Sequence, residues 1–379
     1  MIYYLIPILI GLLVSFYEVK FGSFTSKSPV FKNIFLLFTA VIFCGGYMTG
    51  SDWRDYELMY NDASIANFNY YFKEQGFYFL MLAFKKIGVG FFPFMIFFKF
   101  LVFYIVASFI SKHFKSFYLP FTIFLSGSAL FLFVDNPLRF MVAFGVIVLS
   151  YKYLIERKLL IFSAFVLLAS LFHISSVVMF LIYFTPNLKL NKASIIIIYF
   201  TLFFVLTPST IDPIIRLFPD FLMTISTYYN EMHRMDYNPF RLGKIINAIF
   251  FLIIIYNKST IIKTFKEGKI IYALTIAFFF LGLIGFIIPT FFRLKYYVSL
   301  FFFLSIASIL LYGFKYKVFI KIFFISYMLF ASIKSIYAGY VYVPYSNYFV
   351  SLFQKEMPYT YRANYNKKKY FERTGTWPM

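Results

Sequence analysis

Apolar runs close to 20 residues recur along the whole chain, at about 2–17, 32–49, 91–111, 117–134, 138–155, 192–207, 244–257, 270–288, 295–313 and 318–338. A helix of about 20 apolar residues crosses the hydrocarbon core of a bilayer, so this pattern predicts an all-α polytopic integral membrane protein. A transmembrane β-barrel would alternate apolar and polar residues over about ten positions, and no such alternation is present. Composition supports the same class. Hydrophobic residues make up 61% of the 379 positions and charged residues 13%, where a soluble domain carries about 25% charged. Soluble, disordered and nucleic-acid-binding classes are excluded on that ground.

The formal net charge is +21, and its placement sets the expected topology. Short Lys-rich loops stay cytoplasmic. Putting Lys20, Lys27 and Lys32; Lys112 and Lys115; Lys152, Arg157 and Lys158; Lys189 and Lys192; Lys258, Lys263, Lys266 and Lys269; and Lys315, Lys317 and Lys321 inside leaves the N-terminus outside. Residues 159–185 are almost wholly apolar between two basic flanks that both belong inside. A short helical hairpin, about 159–172 and 174–185 with its turn near His173, resolves this. Such a turn within the membrane is tolerable only when it lines a cavity or is covered by protein. Residues 74–90 are too short and polar to cross, and predict an amphipathic helix on the outer surface. This leaves Lys85 and Lys86 outside, and Lys99 sits within a span; both count against the scheme. About twelve passes result, with both ends outside. The chain is read as one transmembrane domain over 1–340, with outer loops 50–76 and 208–243, and a basic, Tyr-rich tail over 341–379. No internal repeat or linker divides it. No cleavable signal peptide is expected, and a lone Cys44 excludes an intramolecular disulfide.

Ten of the 15 acids fall on the expected outer face: Asp52, Asp55, Glu57, Asp62, Glu74, Asp135, Asp212, Asp220, Glu231 and Asp236. So do six of the nine arginines: Arg54, Arg139, Arg216, Arg234, Arg241 and Arg293. The 59 Phe and 34 Tyr, with abundant Ile, Lys and Asn, are what AT-rich coding DNA gives. Against that bias toward Lys, clustered Arg calls for a reason. Guanidinium presents a planar fork that matches phosphate oxygens bidentately. Arg139 and Arg293 stand at the mouths of apolar spans, where a charge is costly and usually faces an interior cavity. The set predicts a pocket for a phosphorylated lipid, the alternative being interfacial ion pairing of the kind Arg54 makes with Asp55 or Glu57. His173 is the histidine of interest, His233 lies among polar outer residues, and His113 falls in a basic inner loop. No HExxH, Walker loop, GxSxG elbow or paired Asp-x-Asp motif occurs, so no metal or cofactor is expected.

Several of these residues stand in a familiar order. Gly50-Ser51-Asp52 with Tyr56 follows the second span, then Glu74-Gln75-Gly76. Asn136-Pro137-Leu138-Arg139 opens a span. Ala169-Ser170-Leu171-Phe172-His173-Ile174-Ser175-Ser176 sits in the hairpin, and Arg293 with Tyr296 and Tyr297 opens a late span. Over about 40–300 the chain resembles the EpsG-like branch of Wzy-type polysaccharide polymerases, which make O-antigen, capsule or exopolysaccharide.

The resemblance implies a GT-C-like glycosyltransferase in the bacterial cytoplasmic membrane, acting at its outer face. It would transfer a growing glycan from undecaprenyl diphosphate onto a fresh lipid-linked repeat unit. Its partners would be the two lipid-linked oligosaccharides, membrane lipids and a chain-length regulator. On this reading Arg139 and Arg293 hold the departing diphosphate, with His173 as a further donor. Asp52 is the expected base, with Glu74 and Glu231 behind it. Arg54, Arg234 and Arg241 guide the second diphosphate, Arg216, His233 and Tyr296 add substrate contacts, and Tyr56 and Trp53 offer faces for sugar stacking. An O-antigen ligase, a lipid-linked oligosaccharide flippase and a glycan acyltransferase are the alternatives.

Overall fold

Helix starts and stops follow from local chemistry. Ser28 caps the Pro29–Cys44 helix by accepting from the Phe31 amide, with Pro29 in the first turn, where its missing N–H costs nothing. Gly45 ends it, donating to the Val41 carbonyl. Asn347 then donates to the same carbonyl at 2.8 Å, and its backbone forms an isolated bridge with Gly46. Gly50 turns the chain at φ +92°, a conformation open to glycine and strained for other residues.

The structure is a computed structural model that describes residues 2–21, 28–66, 74–135, 137–188, 191–216, 238, 240–313, 318–354 and 357–378. Among these residues the regular elements are helices, and none forms a sheet. Four helices are long and apolar enough to cross a membrane: Phe91–His113, Leu138–Ile155, Gly268–Gly285 and Phe291–Gly313. A fifth candidate is the pair Leu242–Tyr256 and Lys258–Thr264, bent by 64°. Shorter apolar helices of 10–17 residues, such as Pro29–Cys44, Leu159–Ser170 and Lys192–Val205, occupy other expected spans. The chain is therefore an α-helical membrane protein. The expected hairpin region is helical over Leu159–Ser170, breaks at 171–173, and resumes as a 3₁₀ turn at Ile174–Val177.

The chain divides into two compact units. The first comprises residues 1–153, 160–176 and 314–379, and the second residues 154–159 and 177–313.

In the first unit Lys99 is fully buried on the Phe91–His113 helix, as expected of a charge at that depth, which turns inward rather than toward lipid. The Gln75–Lys86 helix buries Phe77, Tyr78 and Met81. Lys85, awkward on the outer face, donates to the Ala63 carbonyl at 2.8 Å, just past the Trp53–Asp62 helix. A cation is favourable at a helix C-terminus. The tail forms a helix, Tyr359–Thr374, fixed to this same unit. Arg362 meets Glu57 through two bonds of 2.7 Å, with both side chains almost fully buried.

In the second unit Gly268–Gly285 is the central helix. Thr275 bonds across to the Phe301 carbonyl and to Ser305, and Phe278 stacks on Phe302 at 4.5 Å. Tyr199 stacks on Phe251 at 3.8 Å and accepts from Asn247. Thr275 and Asn247 are thus satisfied locally, as a low-dielectric interior requires, whereas the buried Tyr272 hydroxyl has no hydrogen-bond partner among the described residues.

Candidate active site

Three segments far apart in sequence meet around Glu74 in the first unit. Glu74 precedes the Gln75–Lys86 helix. The next glycine, Gly76, brings that helix against the break at 171–173. Its N–H donates to the Leu171 carbonyl at 2.9 Å, and a Cβ there would lie 2.8 Å from the Leu171 Cβ. This approach needs a residue without a side chain, and it places Glu74 beside His173. His173 Nδ1 lies 2.8 Å from Glu74 Oε1, to which the Ile174 N–H also donates at 3.4 Å.

The other carboxylate oxygen, Oε2, lies 2.8 Å from Arg139 Nη1. Arg139 opens the Leu138–Ile155 helix, so the span start carries the cation to the cluster. Both ion pairs meet at hydrogen-bond distance but off the line of a hydrogen bond. Arg139 Nε donates to the Tyr56 hydroxyl at 3.0 Å. Phe140 packs edge-on against the His173 ring. Among the described residues neither Arg139 Nη2 nor His173 Nε2 has a hydrogen-bond partner. Arg139 keeps 42% of its side chain exposed and His173 20%, against 7% for Glu74. The carboxylate is the buried hub, and the guanidinium and the imidazole are more exposed than it is.

Burial alone would push the Glu74 carboxyl up. The contact and charge of His173, the Arg139 guanidinium and the Ile174 N–H outweigh it and hold the carboxyl below its ordinary value. Burial raises the Tyr56 hydroxyl despite the adjacent Arg139, so it stays protonated near neutral pH. Asp52 acts electrostatically on Tyr56 as well, and accepts a 2.7 Å bond from the Ser51 hydroxyl.

Arg139, His173, Glu74, Tyr56 and Asp52 thus share one neighbourhood. Arg54 is turned away from it. Its Nε and Nη1 donate to the carbonyls of Ala363, Gly50 and Ser51, so this guanidinium clasps the turn and the tail. Trp53 is fully buried against Phe92 and Tyr359, which corrects its reading as an open sugar platform. Tyr56 is buried too, with its ring against Phe77 and Arg139, and it positions the guanidinium. Arg293 and Tyr296 belong to the 3₁₀ stretch Pro289–Val298 of the second unit. Arg241, exposed, precedes Leu242–Tyr256, and Arg216 ends Pro208–Arg216, both also in that unit. Glu231, His233, Arg234 and Asn136 lie outside the described residues.

Sequence reasoning missed the Glu57–Arg362 pair and the role of Glu74 as the hub. The first has no local signal, because its partners are 305 residues apart. The second was foreshadowed by Glu74-Gln75-Gly76, where a glycine directly after a polar pair marks a close backbone approach. Among the described residues no group of three or more His, Cys, Asp or Glu side chains is placed to hold a metal ion.

A family model for the EpsG family matches residues 30–348. No curated protein and no solved structure matches the chain. The matched region contains every residue of the Glu74 cluster and spans most of the sequence, and on that basis the chain belongs to the EpsG family.

Proposed function

We propose that this protein polymerises a polysaccharide by transferring a growing glycan from undecaprenyl diphosphate onto a lipid-linked repeat unit. It does so at the outer face of a bacterial cytoplasmic membrane, from a bundle of about twelve passes with a GT-C-like plan. EpsG membership supports the coarser part of this reading, a polysaccharide-polymerase-like membrane protein. The observation that carries the finer part is the Glu74 hub. One carboxylate meets both a guanidinium and an imidazole, and one nitrogen of each has no hydrogen-bond partner among the described residues.

That arrangement suits glycosyl transfer from a lipid diphosphate. A carboxylate on Nδ1 fixes the imidazole tautomer with its proton there, leaving Nε2 as the acceptor. His173 Nε2 takes the proton of the acceptor hydroxyl as that oxygen bonds to the anomeric carbon. The bond from that carbon to the phosphate oxygen breaks, and its electron pair leaves with the diphosphate. Arg139 Nη2 donates to the departing oxygens and offsets their charge. Glu74 is a positioning residue: its oxygens face the Arg139 guanidinium and the His173 imidazole, and its lowered proton affinity makes it a poor base. Tyr56 fixes Nε of Arg139 and so directs the free edge of the fork. Asp52, the base expected from sequence, becomes an electrostatic neighbour on this reading.

Complementation of a polymerase-null strain tests the proposal. Arg139→Ala and His173→Ala variants are expected to insert normally and to leave single-repeat products. Arg293→Ala tests the second guanidinium that the sequence singles out. A normal ladder of chain lengths from both the Arg139 and His173 variants would sink the assignment. Accumulated lipid-linked polymer in the null strain would instead mark a ligase. Purified protein that cannot lengthen lipid-linked repeats in detergent would mark a flippase.

A further inference from the structure

A cavity of about 580 Å³ lies within the second unit, away from the Glu74 cluster in sequence and built from that unit alone. Its volume falls within the range of roughly 300–1,000 Å³ typical of small-molecule sites. Its polar lining residues are Thr185, Lys258, Lys269 and Tyr272. Lys258, Lys269 and Tyr272 line it near the start of the Gly268–Gly285 helix, and Ile195, Ala277 and Phe280 are among the apolar residues that line the rest. From Lys269 to Ile284, the furthest lining residue on that helix, is about 22 Å at 1.5 Å per residue. That exceeds the roughly 15 Å depth of one bilayer leaflet.

Two observations say what the polar end wants. Lys258 Nζ sits 5.2 Å from the centre of the Tyr272 ring, so one cation stands over the same aromatic that lines the cavity. The Tyr272 hydroxyl is buried and has no hydrogen-bond partner among the described residues. A buried hydroxyl without a partner is costly and normally occurs where something else supplies one. The N-terminal end of the 18-residue Gly268–Gly285 helix adds its positive dipole at the same place. Residues 258–269 carry four lysines against the single acid Glu267.

A positive mouth with a hydroxyl donor, continued by an apolar channel one leaflet deep, has the shape of an amphiphile with an anionic head. The geometry points to a structural binding site for an anionic diacyl phospholipid. Its phosphate is held by Lys258, Lys269 and Tyr272, and one acyl chain fills the channel along Gly268–Gly285. The lysines are those the sequence places at the cytoplasmic surface, where anionic lipid recognition by juxtamembrane basic groups operates. This site is separate from the proposed catalytic cluster and takes a different lipid.

Protein extracted from cells and reconstituted in nanodiscs of phosphatidylglycerol and phosphatidylcholine provides the test, with lipid retained after detergent exchange counted by mass spectrometry. Wild-type protein is expected to retain phosphatidylglycerol over phosphatidylcholine. Lys258→Gln/Lys269→Gln is expected to weaken that retention about tenfold or more, with both head-group cations gone. Tyr272→Phe should weaken it less, and Ala277→Phe, which fills the channel, should abolish it. Lys263→Gln/Lys266→Gln removes the same charge from the same loop at positions that do not line the cavity, and should leave retention unchanged. Equal loss in both double variants would reduce the effect to diffuse surface charge and overturn the proposal. Equal retention of the two lipids by wild type would overturn it as well. So would displacement of phosphatidylglycerol by a polyprenyl phosphate at equal concentration. None of these outcomes bears on the polymerase assay, so failure here and failure of the proposed function are distinguishable.

Discussion

Removing Arg362 should unfold more than the tail that carries it. The guanidinium donates twice to Glu57, at 2.7 Å each, and both side chains are below 10% exposed. The cation also lies 5.3–5.9 Å from the rings of Tyr47, Trp53, Phe92 and Tyr359. Arg362→Ala strips a buried carboxylate of its partner, and breaking such a pair costs about 3–5 kcal/mol. Arg362→Lys keeps the charge but cannot form the fork, and should cost about half as much. Glu57→Met/Arg362→Leu removes both charges together and should recover most of the loss, since buried pairs replaced by apolar groups are often neutral. Thermal unfolding in detergent of wild type, Glu57→Met, Arg362→Leu and the double variant gives the coupling directly. The consequence reaches the proposed site, because Tyr56, next to Glu57, fixes Arg139. Chain-length ladders in complemented cells should therefore shorten in Arg362→Ala and return in the double variant. Single substitutions each costing under about 1 kcal/mol, with an additive double, would refute the reasoning.

Three further outcomes are expected. Gly76→Ala forces a Cβ to 2.8 Å from the Leu171 Cβ. It should destabilise by about 1–3 kcal/mol and cut polymer output, read by thermal unfolding and by ladder length in the same cells. Glu74 has a lowered carboxyl affinity, so its stabilising contribution is complete above the ordinary carboxylate value and fades as pH falls through the folded value. Melting temperature should fall from about pH 5 downward in wild type and more shallowly in Glu74→Gln, which starts from a lower plateau. On topology, Cys44 is buried and is the single cysteine. In a Cys44→Ser background, Asp62→Cys should react with an impermeant maleimide on intact cells and Lys266→Cys only after permeabilisation.

The membrane-helical class was legible because hydrocarbon imposes it: apolar length and internally bonded backbone leave few alternatives. The break at 171–173 was legible for a related reason. With both basic flanks read as lying on one side of the membrane, a turn near His173 follows. Lys85 read as a cost in the sequence because its partner, the Ala63 carbonyl just after Asp62, does not show there. Lys99 is buried inside the unit, and its ammonium has no hydrogen-bond partner among the described residues. Within the candidate site the residue types were readable and their roles were not. Arg54 and Arg139 look alike as outer arginines of an acidic segment. Arg54 gives Nε and Nη1 to three backbone carbonyls and buries Nη2, whereas Arg139 meets Tyr56 and Glu74 and keeps 42% of its side chain exposed. That difference depends on Gly50, whose turn brings a carbonyl to Arg54, and on residues 363 and 74, which no local pattern ties to either arginine.

These contacts form a continuous polar string. Arg362 holds Glu57, the neighbouring Tyr56 holds Arg139, Arg139 meets Glu74, and Glu74 meets His173. Each link fixes one side of a polar group and leaves the next side for its neighbour, and the buried members, Arg362, Glu57, Tyr56 and Glu74, anchor the more exposed Arg139 and His173. The family match stops at residue 348, so Arg362 stands beyond it while every other member lies within. The proposed catalytic end therefore consists of residues of the family region, and the tail is bonded to Glu57 beside them. A bond of that kind changes rate through the orientation of Arg139 rather than through any contact with substrate. Loss of Arg362 should accordingly lower the maximal rate of polymerisation while leaving the apparent affinity for lipid-linked repeats close to that of wild type, whereas loss of Arg139 itself should alter both.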